Sequence, residues 1–414
     1  MLFPYDKPAL SAPPRVVITG AGIVSPLGVA WRPNADGFRA GRTAFRPVSL
    51  FDVSRQRVRS AAEAALPAAL PVERLTPRQA ARLDRAGAML LLAGHEAWEQ
   101  AGWEPANHLP LVLGTTAGGM TVGEMYFRTA VQTPRRHRQQ PTRALQYQAH
   151  TQARVLADAL GFSGPVTIIS NACTSGANAI GHAWRLLRCG QAKRVLAGGY
   201  DALCQMVFAG FDSLQALSPT SCRPFDARRD GLALGEGAAI LALETLDSAR
   251  RRGATILAEL AGYGTTMDPY HLTQPHPQGD GALAAMQQAC EIAGLEATNI
   301  DYINAHGTGT LLNDSAEAAA INRWAGPRAA SLPVSSTKAG IGHLMGAAGA
   351  VEAVVCIMCL REQWLPPEGT LETPDPACNF PILRHPQDAR LSAVLSNSFG
   401  FGGVNASLIL RRWT

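Results

Sequence analysis

One pattern occurs twice in this chain and limits what it can fold into. In the first half, "GPVTIIS" reads as a strand and leads through Cys173 into a helix of small residues, "TSGANAIGHAWRLL". In the second half, "LPVSST" leads through His343 into "LMGAAGAVEAVVCIMCL". Each unit is followed by a hairpin-like stretch, "DGLALGEGAAILALETL" in one case and "AVLSNSFGFGGVNASLILRRW" in the other. Further strand-then-glycine units, "RVVITGAG", "LPLVLGTTAGG", "KRVLAGGYDA" and "DYINAHGTGT", alternate with helical segments. Such alternation predicts an α/β fold. The echo predicts one α/β unit used twice, breaking near residue 253: residues 1–253 carry the cysteine and residues 254–414 carry two histidines in glycine-rich turns.

Composition narrows the function. With 414 residues, 47% hydrophobic and 17% charged, the chain can bury a large core and is not of a disordered type. A net charge of +5 is a mild excess that suits an acidic partner. No basic stripe with interleaved aromatics appears, so nucleic-acid binding is not expected. "MLFPYDKPALSAPP" has no signal-peptide pattern, and "GAMLLLAG" is too short to span a bilayer. A cytoplasmic protein without a membrane span is expected. Eight scattered cysteines fit reduced thiols, and Cys356 with Cys359 reads as part of a buried helix, not as a zinc or redox site. No metal site is expected.

Cys173 is the candidate nucleophile. If the helix begins at the cysteine, its free N–H groups and positive dipole end favour a thiolate, and a sharp strand-to-helix turn pushes the side chain out of the backbone. His306, in "YINAHGTGT", and His343, in "KAGIGHLMG", lie in glycine-rich turns where backbone approaches a ligand closely. A helix N-terminus disfavours a cation, so His343 is expected to stay neutral and donate an N–H. A thiolate with two neutral imidazoles suits carbon–carbon bond formation at a thioester: the thiolate takes an acyl group and the imidazoles hold an enolate oxygen. In "SNSFGFGGVNAS", Gly400, Gly402 and Gly403 around Phe401 suggest a loop that swings or turns N–H groups to an anion; a tight turn explains them nearly as well. "QTPRRHRQQPTR", residues 132–143, reads as a solvated loop or a partner contact. His271 and His276, in "MDPYHLTQPHPQG", fall in a loop that could line a substrate entrance. "GAGIVSPLG" lacks the third glycine and the opening helix of a dinucleotide site, and "GFDSL" is embedded in an α/β chain, unlike the serine motif of a carrier protein.

With Cys173, His306 and His343 set in their motifs, the chain resembles an elongating β-ketoacyl-acyl-carrier-protein synthase of the thiolase superfamily, from about residue 15 to the C-terminus. "NACTSGANAIGHA", "CRPFDARRDGLALGEGAA", "DYINAHGTGT", "STKAGIGHLMGAAGAVEA" and "SNSFGFGGVNAS" carry the likeness. The resemblance implies a five-layered αβαβα thiolase fold of two duplicated halves, a homodimer or heterodimer, and no organic cofactor. It implies that Cys173 accepts an acyl chain from an acidic acyl carrier protein, and that His306 and His343 assist decarboxylation of malonyl-carrier protein. It assigns the oxyanion hole to the N–H groups of Cys173 and Phe401, and a gating role to Phe401. Lys338 matches an ordering lysine with Glu352 or Glu317 as its carboxylate partner. Thr308 and Thr310 match contacts to the pantetheine arm, and Arg78 and Arg82 match carrier-docking residues. Ala117 stands where a larger residue often closes the acyl pocket, which implies room for a long or rigid chain in fatty-acid, polyketide or polyene synthesis. The rival reading is a silent partner subunit of a ketosynthase heterodimer, against which the intact residues argue.

Overall fold

The computed structural model describes residues 13–133 and 141–414; the N-terminal dozen residues and the middle of the basic segment 132–143 lie outside the described residues. Five strands of the first half, in chain order Val16–Ser25, Leu111–Gly114, Val166–Ile169, Arg194–Asp201 and Gly237–Thr245, lie side by side in the order third, second, fourth, fifth, first. Five of the second half, Ala258–Met267, Tyr302–Asn304, Val334–Ser335, Ala393–Phe399 and Val404–Arg412, repeat that order. The directions repeat as well. The second strand runs parallel to the third and fourth, while the fifth is antiparallel to the fourth and the first. The two first strands join the sets antiparallel, Val16–Ile18 against Ala258–Leu260. The expected duplication is thus written in the strand order.

Helices make five layers of this. Arg85–Ala101 and Ala149–Leu160 cover one outer face, and Asp280–Ala293 and Leu311–Ala325 the other. Ser175–Arg188 and Ala348–Glu362 lie between the sheets and touch each other. A helix walled in on all sides needs apolar residues all round, and Ala348–Leu360 is buried without a break, Cys356 and Cys359 included. The two central helices approach closely because small residues face each other. A Cβ added at Gly349 would lie 2.6 Å from Ser398 Oγ and 2.8 Å from Ala177 Cβ, and one at Gly176 would lie 2.7 Å from the Gly346 carbonyl.

One expected hairpin forms and one does not. Ala393–Phe399 pairs with Val404–Arg412. In "DGLALGEGAAILALETL" only Gly237–Thr245 is a strand, paired with its neighbours at 16–25 and 194–201. The preceding residues are buried and form single bridges instead, such as Leu232 with Leu217 and Leu234 with His343. No helix among the described residues is long and apolar enough to cross a membrane.

Candidate active site

Cys173 sits on a tight corner between the strand Val166–Ile169 and the helix Ser175–Arg188. Ala172 takes a left-handed φ of 59°, a conformation that costs a non-glycine residue on the order of 1–3 kcal/mol. Side chains hold the corner: Ser175 Oγ donates to the Ala172 carbonyl at 2.6 Å and accepts the Asn171 N–H at 3.0 Å, while Thr174 Oγ1 donates to the Asn171 carbonyl at 2.8 Å. The helix is capped by Thr174, so Cys173 precedes it and does not begin it. Nor is the thiol set up as a thiolate. Burial pushes it up to about 11, against the Lys338 charge and the backbone N–H groups of Phe401 and Cys173, which pull it down. Desolvation outweighs the local donors because almost no water reaches the sulfur.

The histidines come from the other half. His306 follows the strand Tyr302–Asn304, and the two imidazoles meet edge to face with centroids 5.3 Å apart. A ring nitrogen of each and the Cys173 sulfur all lie within 4.8 Å of one another, and all three residues are buried. Both rings are held well below the usual histidine range, by burial first and then by the Lys338 charge, with each other's proximity adding for His306. His343 is therefore neutral, as expected; a short 3-10 turn, Met345–Ala347, runs straight into the helix Ala348–Glu362, and its first N–H points at the ring. His343 Nδ1 accepts the Met345 N–H at 3.1 Å, and Nε2 is buried with no partner among the described residues. His306 Nδ1 is likewise buried and unpartnered.

Lys338 pairs with Glu352, and both are buried. Glu317, the other candidate for that role, lies elsewhere. It accepts the N–H groups of His306 at 2.9 Å and Gly307 at 2.7 Å, and the amide of Asn397 at 3.2 Å. One helical turn away, Asp314 accepts the N–H groups of Thr308 and Gly309 and of Phe225. Two carboxylates three residues apart share a helix face, and here they clamp the whole "HGTGT" turn. Burial lifts Glu317 to about 7.

A cavity of about 360 Å³ opens over Cys173. His306, His343, Thr308, Thr310, Gly400 and Phe401 line it, along with Phe399, Phe211 and His271, for which only the last was expected near an entrance. Thr308 and Thr310 hydroxyls are 2.9 Å apart. Phe401 stacks on Phe211 with centroids 6.0 Å apart. Gly402, at φ 84°, is off the cavity wall; its N–H donates to the Leu272 carbonyl at 2.7 Å and fastens the loop. Ala117 is also off the wall. Its N–H, with those of Thr116 and Gly346 and the Thr115 hydroxyl, donates to the buried Asp201 carboxylate. That carboxylate, lifted by burial to about 6, ties a loop of the first half to a turn of the second beside the Cys173 corner. Arg78 and Arg82 are exposed near the short helix Pro77–Ala80, without an ion pair among the described residues, and do not line the cavity.

Known proteins share this architecture. The chain matches the beta-ketoacyl synthase N-terminal domain over residues 14–249 and the C-terminal domain over residues 257–372. It is 38% identical to the tetracenomycin polyketide synthase ketoacyl synthase alpha subunit of Streptomyces glaucescens, over 96% of this chain and 97% of that one. It is also 38% identical to a 3-oxoacyl-[acyl-carrier-protein] synthase 2 of Synechocystis, over 96% of this chain and 98% of that one. A solved structure, the ishigamide ketosynthase/chain length factor, superposes with a TM-score of 0.91 at 33% identity, over 97% of this chain and 100% of that one. The fold and the thiol–imidazole cluster define a thiolase-fold condensing enzyme. The chain belongs to the beta-ketoacyl synthase family.

Proposed function

We propose that Cys173 carries the acyl group of a decarboxylative Claisen condensation, with His306 and His343 holding the enolate of the second substrate. The observation that carries this reading is the cluster itself: a thiol and two neutral imidazoles within 4.8 Å of one another, under the Phe401 backbone N–H. In the first half-reaction the sulfur attacks an acyl thioester on a carrier protein; the carrier's thiolate leaves and the Cys173 proton goes with it. In the second, the C–C bond to the carboxylate of malonyl-carrier protein breaks and CO2 departs. The electron pair moves to the thioester oxygen, where the His343 Nε2–H and the His306 ring stabilise it. The enolate carbon then attacks the Cys173 thioester, the oxyanion faces the N–H groups of Cys173 and Phe401, and collapse expels the thiolate. The product is two carbons longer.

Neutral imidazoles suit this role because they donate an N–H without an acidic proton that would quench the carbanion. Burial first, and then the charge of Lys338, keeps them neutral, and Glu317 and Asp314 position the His306 turn. Thr308 and Thr310 sit where a pantetheine arm would pass, and Arg78 and Arg82 offer exposed charge to an acidic carrier protein. We assign the division into residues 1–253 and 254–414, a dimer and a cytoplasmic setting to the same reading. The second reading, a silent subunit, draws on the likeness to a ketosynthase/chain length factor; the assembled cluster speaks against it.

Intact-protein mass spectrometry after incubation with acyl-carrier proteins tests both. An adduct on wild type, absent in Cys173→Ala, that is released two carbons longer on adding malonyl-carrier protein supports condensation. No adduct from any donor would favour the silent subunit.

A further inference from the structure

Carboxylates crowd the far side of the His306 turn: Asp226, Asp314, Glu317 and Glu368 are all buried there. Arg229, buried beside them, lies 4.0 Å from Asp314 and pairs with Asp375, and Lys338 is taken by Glu352. The acids outnumber the charges that balance them, and a carboxylate out of water without a counter-charge holds on to its proton.

The donors around each acid decide which one that is. Asp226 accepts the N–H groups of Arg228, Glu372 and Thr373. Asp314 accepts three backbone N–H groups, and Glu317 accepts two with the Asn397 amide. Glu368 accepts one, from Ser336 at 2.6 Å, and its second oxygen is buried with no partner among the described residues. A bare charge in that place costs far more than a neutral hydroxyl. Burial first, and then Asp314, Glu317 and Asp226, hold Glu368 well above the usual carboxylate range. Tyr302, Cys222 and Cys378 also face it, and burial pushes all three up, so they stay neutral too.

Ser336 carries the hold of Glu368 into the site. Its Oγ donates to the Gly307 carbonyl at 2.7 Å and accepts the Lys338 N–H at 3.3 Å. Next to it, Ser335 Oγ donates to the Pro366 carbonyl at 2.7 Å, which fastens the loop bearing Glu368 to the same strand end. One serine thus joins the His306 turn to the lysine whose charge acts on both imidazoles.

We propose that Glu368 is a positioning residue for the condensation: as a neutral acid it fixes Ser336, and through Ser336 the His306 turn and Lys338. This rests on the condensing function proposed above. Ionised, Glu368 would add a charge beside Asp314 and Glu317, the two acids that clamp the His306 turn. The step that uses His306 should therefore fail at alkaline pH.

Glu368→Gln, the isostere of the neutral acid, should decarboxylate malonyl-carrier protein like wild type at pH 7 and should lack the decline that wild type shows as pH rises. Glu368→Ala leaves the Ser336 N–H without its acceptor and should lose about tenfold in kcat for decarboxylation, with KM and Cys173 acylation unchanged. A residue that only supports the fold would move both steps together and leave the pH profile alone. The same alkaline decline in Glu368→Gln, or full activity in Glu368→Ala, would overturn the assignment. Carbon-13 NMR of labelled glutamate, with the signal assigned by its loss in Glu368→Gln, reads the side chain directly and decides the matter even where Glu368→Ala does not fold. The signal should hold its protonated position at pH 7. A carboxylate signal beside normal decarboxylation sinks this role alone, whereas a protonated Glu368 in a chain that never decarboxylates malonyl-carrier protein sinks the condensing function and this role with it.

Discussion

His343 Nδ1 accepts the backbone N–H of Met345 at 3.1 Å, which places the ring proton on Nε2, a buried atom with no other partner among the described residues. The imidazole is thus a fixed donor aimed by its own turn. His343→Ala should slow CO2 release from malonyl-carrier protein by about 10²–10³-fold, with Cys173 still acylated. Single-turnover CO2 release, read beside intact mass, checks this; equal loss of both steps would refute it.

Lys338 and Glu352 form a buried pair whose charge helps hold the histidines neutral. Lys338→Met should cost on the order of 3–5 kcal/mol by stranding the carboxylate, and Lys338→Met/Glu352→Gln should recover much of that in denaturant titrations. In the double variant both imidazoles should titrate at higher pH than in wild type, as NMR of labelled histidine would show. Unchanged histidine titration would remove Lys338 from the electrostatics of the site.

The Cys173 thiol, pushed up to about 11, should react with iodoacetamide at a rate that keeps climbing past pH 9, where an ordinary thiol levels off. Between about pH 9 and 11 the folded chain holds a proton that the unfolded chain has lost, so this group's contribution to stability falls as pH rises through that window. The histidines act at the other end. Below about pH 6.5 the unfolded chain takes up protons that the buried rings refuse, so stability falls as pH drops. A labelling rate that plateaus near pH 8 would contradict the buried-thiol picture.

Gly349 meets Ser398 and Ala177 too closely for a side chain. Gly349→Ala should destabilise the fold by about 1–3 kcal/mol, read as a lower denaturant midpoint. No loss would mean that the central helices separate freely.

The strand–turn–helix units, the repeat and the three side chains that cluster were legible in the sequence because small residues and glycines punctuate them. Desolvation was not legible. The sequence suggests a thiolate at Cys173, and the fold buries the sulfur deeply enough to reverse that. Burial and then the Lys338 charge, which the sequence did not reveal, hold His343 neutral beside the helical turn that it did. Asp201 gave no signal at all, since its partners come from segments far apart in the chain. Asp314 and Glu317 were not expected in this role: the resemblance offered Glu317 as a partner of Lys338, and the clamp on the histidine turn rests on backbone N–H groups that only the fold brings to these two acids.

The repeated strand order has an evolutionary corollary. One copy of the unit contributes the thiol and the other contributes both imidazoles, so the three groups meet only where the copies join. Substitutions that drift in one copy are filtered by what the other still presents across that seam. Exchanging a single half with a diverged relative would therefore preserve either the acylation chemistry or the decarboxylation chemistry of the donor, but not the match between them.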